Sequence, residues 1–264
     1  MTEPLRIAMW SGPRNISTAM MRAWENRGDC AVSDEPLYAH YLAHTGSEHP
    51  ARDEVIAAGE TDWRAVTATL VDAVPDGKPI WYQKHMSHHL LPHIDHAWIH
   101  ALTNVFLIRE PEEVVSSYLR TRDTVTAEDI GIPQERLLFD EVANRSGAAP
   151  PVVDADEFLR APEAHLRALC ARLGIPFTER MLAWPAGGRA SDGIWAPHWY
   201  AAVWKSTGFE APRDRASVQL EGDAKRVSDA CRDDYEFLRR HRIEAWPAER
   251  RPGEGRDAAS ARNN

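Results

Sequence analysis

Hydroxyl, amide and guanidinium side chains are concentrated in one turn close to the start of the chain. The apolar run at residues 7–10 predicts a buried strand, and apolar residues at helical spacing follow Ser17. A turn connects this strand to the predicted helix. The turn and the first residues of the helix include Gly12, Arg14, Asn15, Ile16, Ser17 and Thr18. Because backbone N–H groups and the helix dipole favour an anion at a helix N-terminus, this stretch predicts a cradle for a phosphate or sulfate group.

This turn is not a Walker A loop, because the GxxxxGK[ST] motif requires a second glycine and a lysine. Ile16 and Ser17 stand where those residues would fall. An ordinary strand-to-helix turn with Ser and Thr near the helix N-cap is therefore the alternative interpretation.

Two carboxylates follow a second short strand, which is predicted at residues 31–33. Asp34 and Glu35 would lie at the carboxyl edge of an α/β sheet, where such folds bind their ligands. A carboxylate there can accept the proton of a substrate hydroxyl, and Glu35 is the candidate general base. For Asp34 the alternative is a helix N-cap, with Pro36 in the first helical turn.

Histidines are dense after a third predicted strand at residues 80–83, where the chain continues with Lys84. They are His85, His88, His89, His93, His96 and His100. Some have i, i+4 spacing, but the segment contains no HExxH motif and no Cys or carboxylate companions at ligand spacing. We therefore expect no metal site in this segment, and we expect His85, before the others, to face a pocket.

An arginine follows the clearest buried strand of the sequence, predicted at residues 104–108. Arg109 ends this strand, and Ser117 lies eight residues later in a helix for which Pro111 is a good first residue. If this helix folds back beside the strand, both side chains can reach one anionic group. A surface ion pair of Arg109 with Glu110 or Glu113 is the alternative.

The composition restricts the class of partner. The 264 residues carry a net charge of −9, which argues against nucleic acid or an anionic membrane as a general partner. The three cysteines are far apart and form no CxxC motif, so we expect reduced thiols and a cytoplasmic setting. No apolar run approaches about 18 residues and no signal peptide is evident, so neither a membrane span nor secretion is expected.

Strand and helix patterns alternate along the chain, which predicts an α/β fold of three layers, a parallel sheet of about five strands flanked by helices. We expect a single domain over residues 1–246 and a disordered tail over residues 247–264, which are rich in Gly, Pro and Arg. Residues 181–209 are rich in Trp and have little periodicity, which favours a lid or a substrate wall. A long amphipathic helix is predicted at residues 217–240.

Three separated stretches carry recognisable motifs. Residues 11–18 read SGPRNIST, and residues 105–119 read VFLIREPEEVVSSYL. In residues 152–177 a strand, a short acidic turn and a helix end in Leu-Gly-hydrophobic-Pro. In this order and spacing the chain resembles the sulfotransferase family that uses 3′-phosphoadenosine 5′-phosphosulfate (PAPS), whose 5′-phosphosulfate loop and 3′-phosphate motif are similar to the first two stretches.

The resemblance implies a P-loop-like fold and transfer of a sulfuryl group from PAPS, as donor co-substrate, to a hydroxyl or amine of a small molecule or carbohydrate, without a metal. It implies that Arg14 and the turn around it bind the phosphosulfate, and that Arg109 and Ser117 bind the 3′-phosphate. The family's late Arg-Lys-Gly loop has a loose counterpart in Lys205, Ser206, Thr207 and Gly208. A homodimer like that of family members is left open.

The resemblance also bears on the catalytic base. In cytosolic members the third strand carries Lys-x-His, and the His is the base, whereas here Lys84 is followed directly by His85 and then by Met86. Other branches use a Glu after the second strand, and Glu35 matches that position. Glu35 is therefore the first candidate for the base and His85 the second, and Lys84 is a further candidate catalytic residue.

Two other classes of function remain as alternatives from the residues alone. A P-loop kinase of small molecules or nucleotides would share the strand-turn-helix unit, although the lysine of GK[ST] is absent. A non-catalytic anion-binding module would keep the fold without a usable base.

Overall fold

One parallel sheet lies at the centre of the part of the chain that the computed structural model describes, residues 3–212 and 219–245. Its strands are β1 (Leu5–Ser11), β2 (Cys30–Asp34), β3 (Ile80–Met86), β4 (Thr103–Ile108) and β5 (Val152–Asp154). They pair in the order β2–β3–β1–β4–β5, and each described pairing is parallel. The predicted α/β class and the five-stranded sheet are confirmed.

Helices flank this sheet and connect its strands. The α-helices in the described residues are α1 (Ser17–Asn26), α2 (Tyr38–Thr45), α3 (Arg52–Ala58), α4 (Trp63–Val71), α5 (Pro111–Tyr118), α6 (Ala127–Ile130), α7 (Ile132–Ser146), α8 (Ala155–Arg160), α9 (Pro162–Arg172), α10 (Ala196–Trp199), α11 (Ala201–Lys205), α12 (Gly222–Ala230) and α13 (Arg232–Arg239). Short 3₁₀ turns lie at Pro75–Gly77, Ser87–His89, Ala97–Ala101 and Glu179–Leu182.

The strand register gathers polar residues at one edge of the sheet. Ser11 at the end of β1 pairs with Met86 of β3 and with Leu107 of β4. Asp34 at the end of β2 pairs with Lys84. The turn after β1, the residues after β2 and those after β4 therefore all leave the carboxyl edge, where α/β folds bind their ligands.

Successive residues of the central strand are buried on opposite faces of the sheet. Ile7 and Met9 pack in one apolar cluster with Trp24 of α1, whereas Ala8 and Trp10 pack in the other. All four strand residues have no exposed surface. A strand covered on both faces has no polar side, which explains the continuous apolar run in the sequence.

Two elements differ from their predicted bounds. β3 was predicted to end at residue 83, but it continues to Met86, because Gln83, Lys84 and His85 are polar residues buried inside the protein. The helix predicted over residues 217–240 is two helices, α12 and α13, joined at Cys231. It starts at Gly222, whose φ of 55° prevents extension toward the N-terminus. Residues 217–218 and the predicted tail lie outside the described residues.

The three cysteines, Cys30, Cys170 and Cys231, are buried free thiols, as predicted. Burial is the main cause that raises the pKa of the Cys30 thiol to about 12, so this side chain is a neutral part of the core. Among the helices of the described ranges, none combines the length and the apolarity needed to cross a lipid bilayer.

One buried amide connects β1 and β4 to the chain that precedes β4. Trp10 Nε1 donates to Asn104 Oδ1 at 2.8 Å. Asn104 Nδ2 donates to the carbonyl oxygens of Ile99 and Leu102, at 2.9 and 3.1 Å. Asn104 therefore satisfies three polar groups in a region without water access, where an unpaired group is costly.

We expect Asn104→Ala to lower the free energy of unfolding by about 2–4 kcal/mol, because it leaves the indole N–H of Trp10 and two carbonyls unpaired. Urea unfolding measures this loss. The matched control is Asn144→Ala on α7, an exposed position, where a change below about 0.5 kcal/mol is expected. Equal effects of the two substitutions would contradict the role given to Asn104.

Candidate active site

A cavity of about 400 Å³ opens at the carboxyl edge of the sheet. Its wall includes predicted site residues from four separate parts of the sequence: Arg14, Asn15, Ile16, Ser17, Thr18, Glu35, Lys84, Arg109 and Ser117. The remaining wall includes several aromatic and histidine side chains. The fold therefore brings most of the predicted residues to one place, although their roles stay predictions.

The turn between β1 and α1 is held in an uncommon backbone conformation. Arg14 has a φ of 56°, in the left-handed region that non-glycine residues rarely adopt. Asn15 fixes the turn, because its Nδ2 donates to Leu107 O at 2.7 Å and its Oδ1 accepts the Ile16 N–H at 2.8 Å. Such strain, typically about 1–3 kcal/mol, persists where the surroundings enforce it and is concentrated at functional sites.

The start of α1 is open toward an anion. The N-cap residue, Ile16, offers no side-chain cap, and the first turn contains no acidic residue. The first N–H groups of a helix lack partners within the helix, so they and the hydroxyls of Ser17 and Thr18 can bind an anionic ligand. Both hydroxyl residues are nearly buried and line the cavity.

Arg14, Arg109 and Ser117 are joined directly. Arg14 Nε donates to Ser117 Oγ at 3.1 Å, and Arg109 Nη1 donates to the Arg14 carbonyl oxygen at 2.7 Å. Burial, followed by the charges of Arg120 and Arg109, lowers the pKa of the Arg14 guanidinium. Two guanidinium groups this close repel each other, and an anion bound between them would relieve that repulsion.

Arg109 also forms the ion pair that was predicted as the alternative to ligand binding. Its Nη2 contacts Glu113 Oε2 at 2.5 Å. The arginine therefore lines the cavity and forms an ion pair at the same time. A guanidinium has five N–H donors, and three of them are used by Glu113 and the Arg14 carbonyl, so donors remain for a ligand.

A buried ion cluster forms the opposite part of the site. Lys84 Nζ contacts Glu35 Oε1 at 2.6 Å, Asp34 Oδ1 at 2.9 Å and the Tyr200 hydroxyl at 2.6 Å. The Tyr200 hydroxyl lies 2.7 Å from Asp34 Oδ2, which also accepts the Gly193 N–H at 3.1 Å. Asp34 is thus enclosed by partners and does not cap α2, whose start has no side-chain cap.

The charges of this cluster follow from burial and from the mutual contacts. Burial raises the pKa of Glu35, the charge of Lys84 lowers it, and the charge of Asp34 raises it again. Burial alone would lower the pKa of Lys84, but Asp34 and Glu35 raise it well above its usual range, so the group is an ammonium. Of the two carboxylates, Glu35 is the one that lines the cavity. A carboxylate with a raised pKa is a stronger general base.

His85 does not face the cavity, and its assignment as the second candidate base is wrong. Side chains alternate along β3, so Lys84 and Met86 face the cavity while His85 points to the other side of the sheet. There it stacks on Trp10, with ring centroids 4.5 Å apart. Burial lowers its pKa to about 3, so the imidazole is a neutral core residue.

Two neighbouring histidines, His88 and His89, line the cavity instead. The His89 ring contacts both Tyr38 and Tyr41 of α2 in stacked arrangements, with centroid distances of 4.6 Å to each. Burial, followed by the charges of its neighbours, lowers the pKa of His89 well below its usual range. The resulting wall is aromatic and uncharged, which suits an acceptor with an apolar or ring-shaped body.

Five further predicted positions, one glycine and one four-residue stretch, lie outside the cavity. Gly12 does not line it: a Cβ at this position would lie 2.2 Å from the Ile130 carbonyl oxygen, so this glycine is needed for close packing of α6 against the turn. The stretch Lys205, Ser206, Thr207 and Gly208 does not line it either. It is tied back to Trp184, whose N–H donates to Thr207 O at 3.0 Å and whose Nε1 donates to Ser206 Oγ at 3.2 Å.

The sequence analysis missed three kinds of site residue. Tyr200 and Trp199 lie in the Trp-rich segment that was predicted as a wall, but no local pattern distinguished them from the other aromatic residues. Arg122 lies between α5 and α6, in a stretch for which no site residue was predicted. His88 and His89 lie in the 3₁₀ turn Ser87–His89 after the end of β3, where strand alternation no longer indicates which side chains face the cavity.

A carboxylic acid is buried directly behind the turn. Glu135 of α7 is 1% exposed, and neither of its carboxylate oxygens completes a hydrogen bond. Burial raises its pKa well above the usual range, and the Gly12 N–H and the Ser87 hydroxyl oppose this effect only in part. The turn that forms the anion cradle therefore rests on a group whose charge state depends on pH.

Comparison with known proteins identifies the domain to which most of the chain corresponds. A family model described as "Sulfotransferase domain" matches residues 5–227. Two proteins of Arabidopsis thaliana, called branched-chain-amino-acid aminotransferase-like proteins 1 and 2, are 37% identical over 213 residues and 36% identical over 207 residues. These matches cover 81% and 78% of this chain, but the chain spans only 38% and 36% of the length of those relatives.

A solved structure supports the same assignment at the level of the fold. The sulfotransferase from Alicyclobacillus acidocaldarius superimposes with a TM-score of 0.52 over 92% of this chain and 98% of that protein. The sequence identity is 13%, so this likeness concerns the arrangement of the backbone.

The pH dependence of unfolding can test the environment of Glu135. Because its folded-state pKa is raised, stability is lost as the pH rises above the usual value of a Glu toward the folded one. Glu135→Gln removes this loss. Between about pH 5 and about pH 8, the free energy of unfolding of the variant should therefore rise by at least about 1.4 kcal/mol relative to that of the wild type. Urea unfolding of both proteins at the two pH values measures the difference.

The control is Glu128→Gln at an exposed position of α6, for which a change below about 0.5 kcal/mol is expected at either pH. A stability difference between Glu135→Gln and wild type that is the same at both pH values would show that the carboxyl group is not the buried acid described above.

Proposed function

Because the chain belongs to the sulfotransferase domain family, we propose that it transfers a sulfuryl group from PAPS to a hydroxyl or amine of a small-molecule or carbohydrate acceptor. The proposal rests on one observation above all. Arg14, Arg109 and Ser117 are joined by hydrogen bonds at the uncapped start of α1, in the same cavity as Glu35. An anion site and a candidate base therefore share one space.

The donor would be held at both of its anionic ends. The first N–H groups of α1, with Ser17 and Thr18, suit the 5′-phosphosulfate, and Arg14 offers a permanent charge beside them. Arg109 and Ser117 suit the 3′-phosphate, the group that distinguishes PAPS from ATP. Both roles were predicted from the motifs, and the direct link between Arg14 and Ser117 supports them.

In the proposed reaction the acceptor oxygen forms a bond to sulfur while the bond between sulfur and the phosphate oxygen breaks. The electron pair of the broken bond stays on the phosphate, where Arg14 and the helix N–H groups neutralise the developing charge. The proton of the acceptor hydroxyl passes to Glu35. By analogy with phosphoryl transfer, most of the acceleration would come from positioning and from electrostatic stabilisation.

Lys84 has a positioning role in this scheme. Its contact with Glu35 at 2.6 Å fixes the carboxylate, and its charge limits the rise in the pKa of Glu35 that burial causes. Without this ammonium, two buried carboxylates would face each other, and one of them would take up a proton. Glu35 is thus held as a carboxylate that can accept a proton.

The proposal also covers features that the comparisons leave open. The matched relatives extend far beyond the shared region, so the aminotransferase in their name is not transferred to this chain. We propose a small-molecule or carbohydrate acceptor because the wall of the cavity includes the aromatic rings of Tyr38, Tyr41 and Trp199. The net charge of −9 makes nucleic acid an unfavourable acceptor. We retain the predictions of a single domain and of metal-free transfer.

Nucleotide selectivity tests the donor site. At a hundredfold excess over Kd, adenosine 3′,5′-bisphosphate should raise the free energy of unfolding by about 2.7 kcal/mol and thereby raise the Tm. ATP–Mg²⁺ should not raise the Tm. Arg109→Ala should weaken binding of the bisphosphate by about 10- to 100-fold, because a charge-assisted hydrogen bond is lost, and should leave the weaker binding of adenosine 5′-phosphate almost unchanged. Thermal shifts and calorimetry measure these effects.

The matched control is Arg167→Ala, which removes another arginine that pairs with a glutamate one helical turn away but lies outside the cavity. It should bind the bisphosphate as the wild type does. Stabilisation by ATP–Mg²⁺ alone would indicate a kinase instead. Equal losses of both adenosine nucleotides in Arg109→Ala would refute its assignment to the 3′-phosphate.

The role of Glu35 is tested by separating binding from transfer. Glu35→Gln should lower kcat by about 10²- to 10⁴-fold, the usual contribution of a general base, while the Kd of adenosine 3′,5′-bisphosphate stays unchanged. The assay follows release of the bisphosphate from PAPS with those phenols, alcohols and sugars that the wild type sulfates. Glu48→Gln, an exposed glutamate, is the control and should keep the wild-type rate. A fully active Glu35→Gln protein would exclude this carboxylate as the base.

A further inference from the structure

A second group of histidines lies outside the cavity, on the far side of α2. His40 and His44 are one turn apart on this helix, and His93 comes from the segment that follows β3. One ring nitrogen of each lies within 4.8 Å of those of the other two. None of the three lines the cavity, so the group is independent of the function proposed above.

The backbone fixes the orientation of two of these rings. His40 Nδ1 lies 2.7 Å from Thr61 O, and His44 Nδ1 lies 2.9 Å from His40 O. A carbonyl oxygen only accepts, so both Nδ1 atoms carry a proton in the neutral ring. The Nε2 atom of each ring is therefore left with a lone pair, and His40 Nε2 lies 2.9 Å from His93 Nε2.

This is the arrangement in which histidines bind metal ions. A metal-binding imidazole usually donates its second ring N–H to a carbonyl or carboxylate, which orients the ring and makes the ligand more basic. Thr61 O and His40 O have this role here.

We propose that His40, His44 and His93 form a binding site for a divalent cation that prefers imidazole ligands, Zn²⁺ above all. At Zn–N distances of about 2.0–2.1 Å, tetrahedral ligand atoms lie about 3.3 Å apart. The observed separations, 2.9 Å between His40 and His93 and up to 4.8 Å within the group, lie on either side of this value. Rotation of the exposed His93 ring, which no described backbone contact fixes, would bring its Nε2 to the ligand distance, and water would take the fourth position.

The bound ion joins two walls of the cavity from behind. The helix that carries His40 and His44 presents Tyr38 and Tyr41 to the cavity, and these rings stack on His89, four residues before His93. Cross-linking α2 to this segment therefore fixes the aromatic wall. The ion lies outside the cavity and takes no part in the transfer, and its site draws on residues 40 and 44, which the sequence analysis did not group with the later histidines.

Calorimetry with Zn²⁺ on metal-depleted protein without a histidine tag tests the site. The wild type should bind one equivalent, and a hundredfold excess over Kd should raise the Tm by about 5–10 °C. Co²⁺ in place of Zn²⁺ should give the absorption bands of a tetrahedral complex. The double variant His44→Ala/His93→Ala should lose at least about 100-fold in affinity, because loss of a ligand exceeds the 10- to 100-fold effect of losing a supporting partner.

The two replaced side chains are exposed, so the double variant should fold, and its Tm without metal verifies this. The matched control is His96→Ala. His96 lies three residues after His93 and pairs with Glu141. This variant should keep the affinity and the stoichiometry of the wild type. Wild-type affinity in the double variant, or no saturable binding by the wild type at micromolar Zn²⁺, would overturn the proposal.

Discussion

The buried ammonium of Lys84 is the contact on which the geometry of the site depends. It lies between two carboxylates, Asp34 and Glu35, and its side chain is 2% exposed. A charge in this position is tolerated only with partners, and removal of one member of such a cluster typically costs about 3–5 kcal/mol. Through Tyr200 the same cluster holds the Trp-rich segment over the cavity, so one buried charge connects the end of β2, the end of β3 and the cavity wall.

The two halves of the site meet because of strand order. The central strand β1 lies between β3 and β4, so the turn that follows it has Lys84 on one side and Arg109 on the other. Arg14 is in contact with residues more than 90 positions later in the sequence. A site of this kind is positioned by rigid parallel strands, which suits a reaction that depends on the placement of two reactants.

Local patterns were sufficient to predict the sheet and the anion side of the site. The apolar runs of β1 and β4 end at polar turns, and the spacing of Arg109 and Ser117 follows from a strand followed by a helix. The acceptor side could not be predicted in this way, because buried polar residues hide the true end of β3 and misplace His85 relative to the cavity. Tyr200 and the pairing of His40 with His93 depend on contacts over more than 50 residues, for which a single sequence gives no signal.

Arg14 and Glu35, proposed to neutralise charge and to accept the proton, share an uncommon property: φ values of 56° and 44°. Glycine adopts this conformation without strain, whereas other side chains do so at a cost. At these two positions the demands of folding and of chemistry are therefore opposed. Relaxed selection on activity would favour glycine at both, and a homologue with glycine at either position would have exchanged catalytic power for stability.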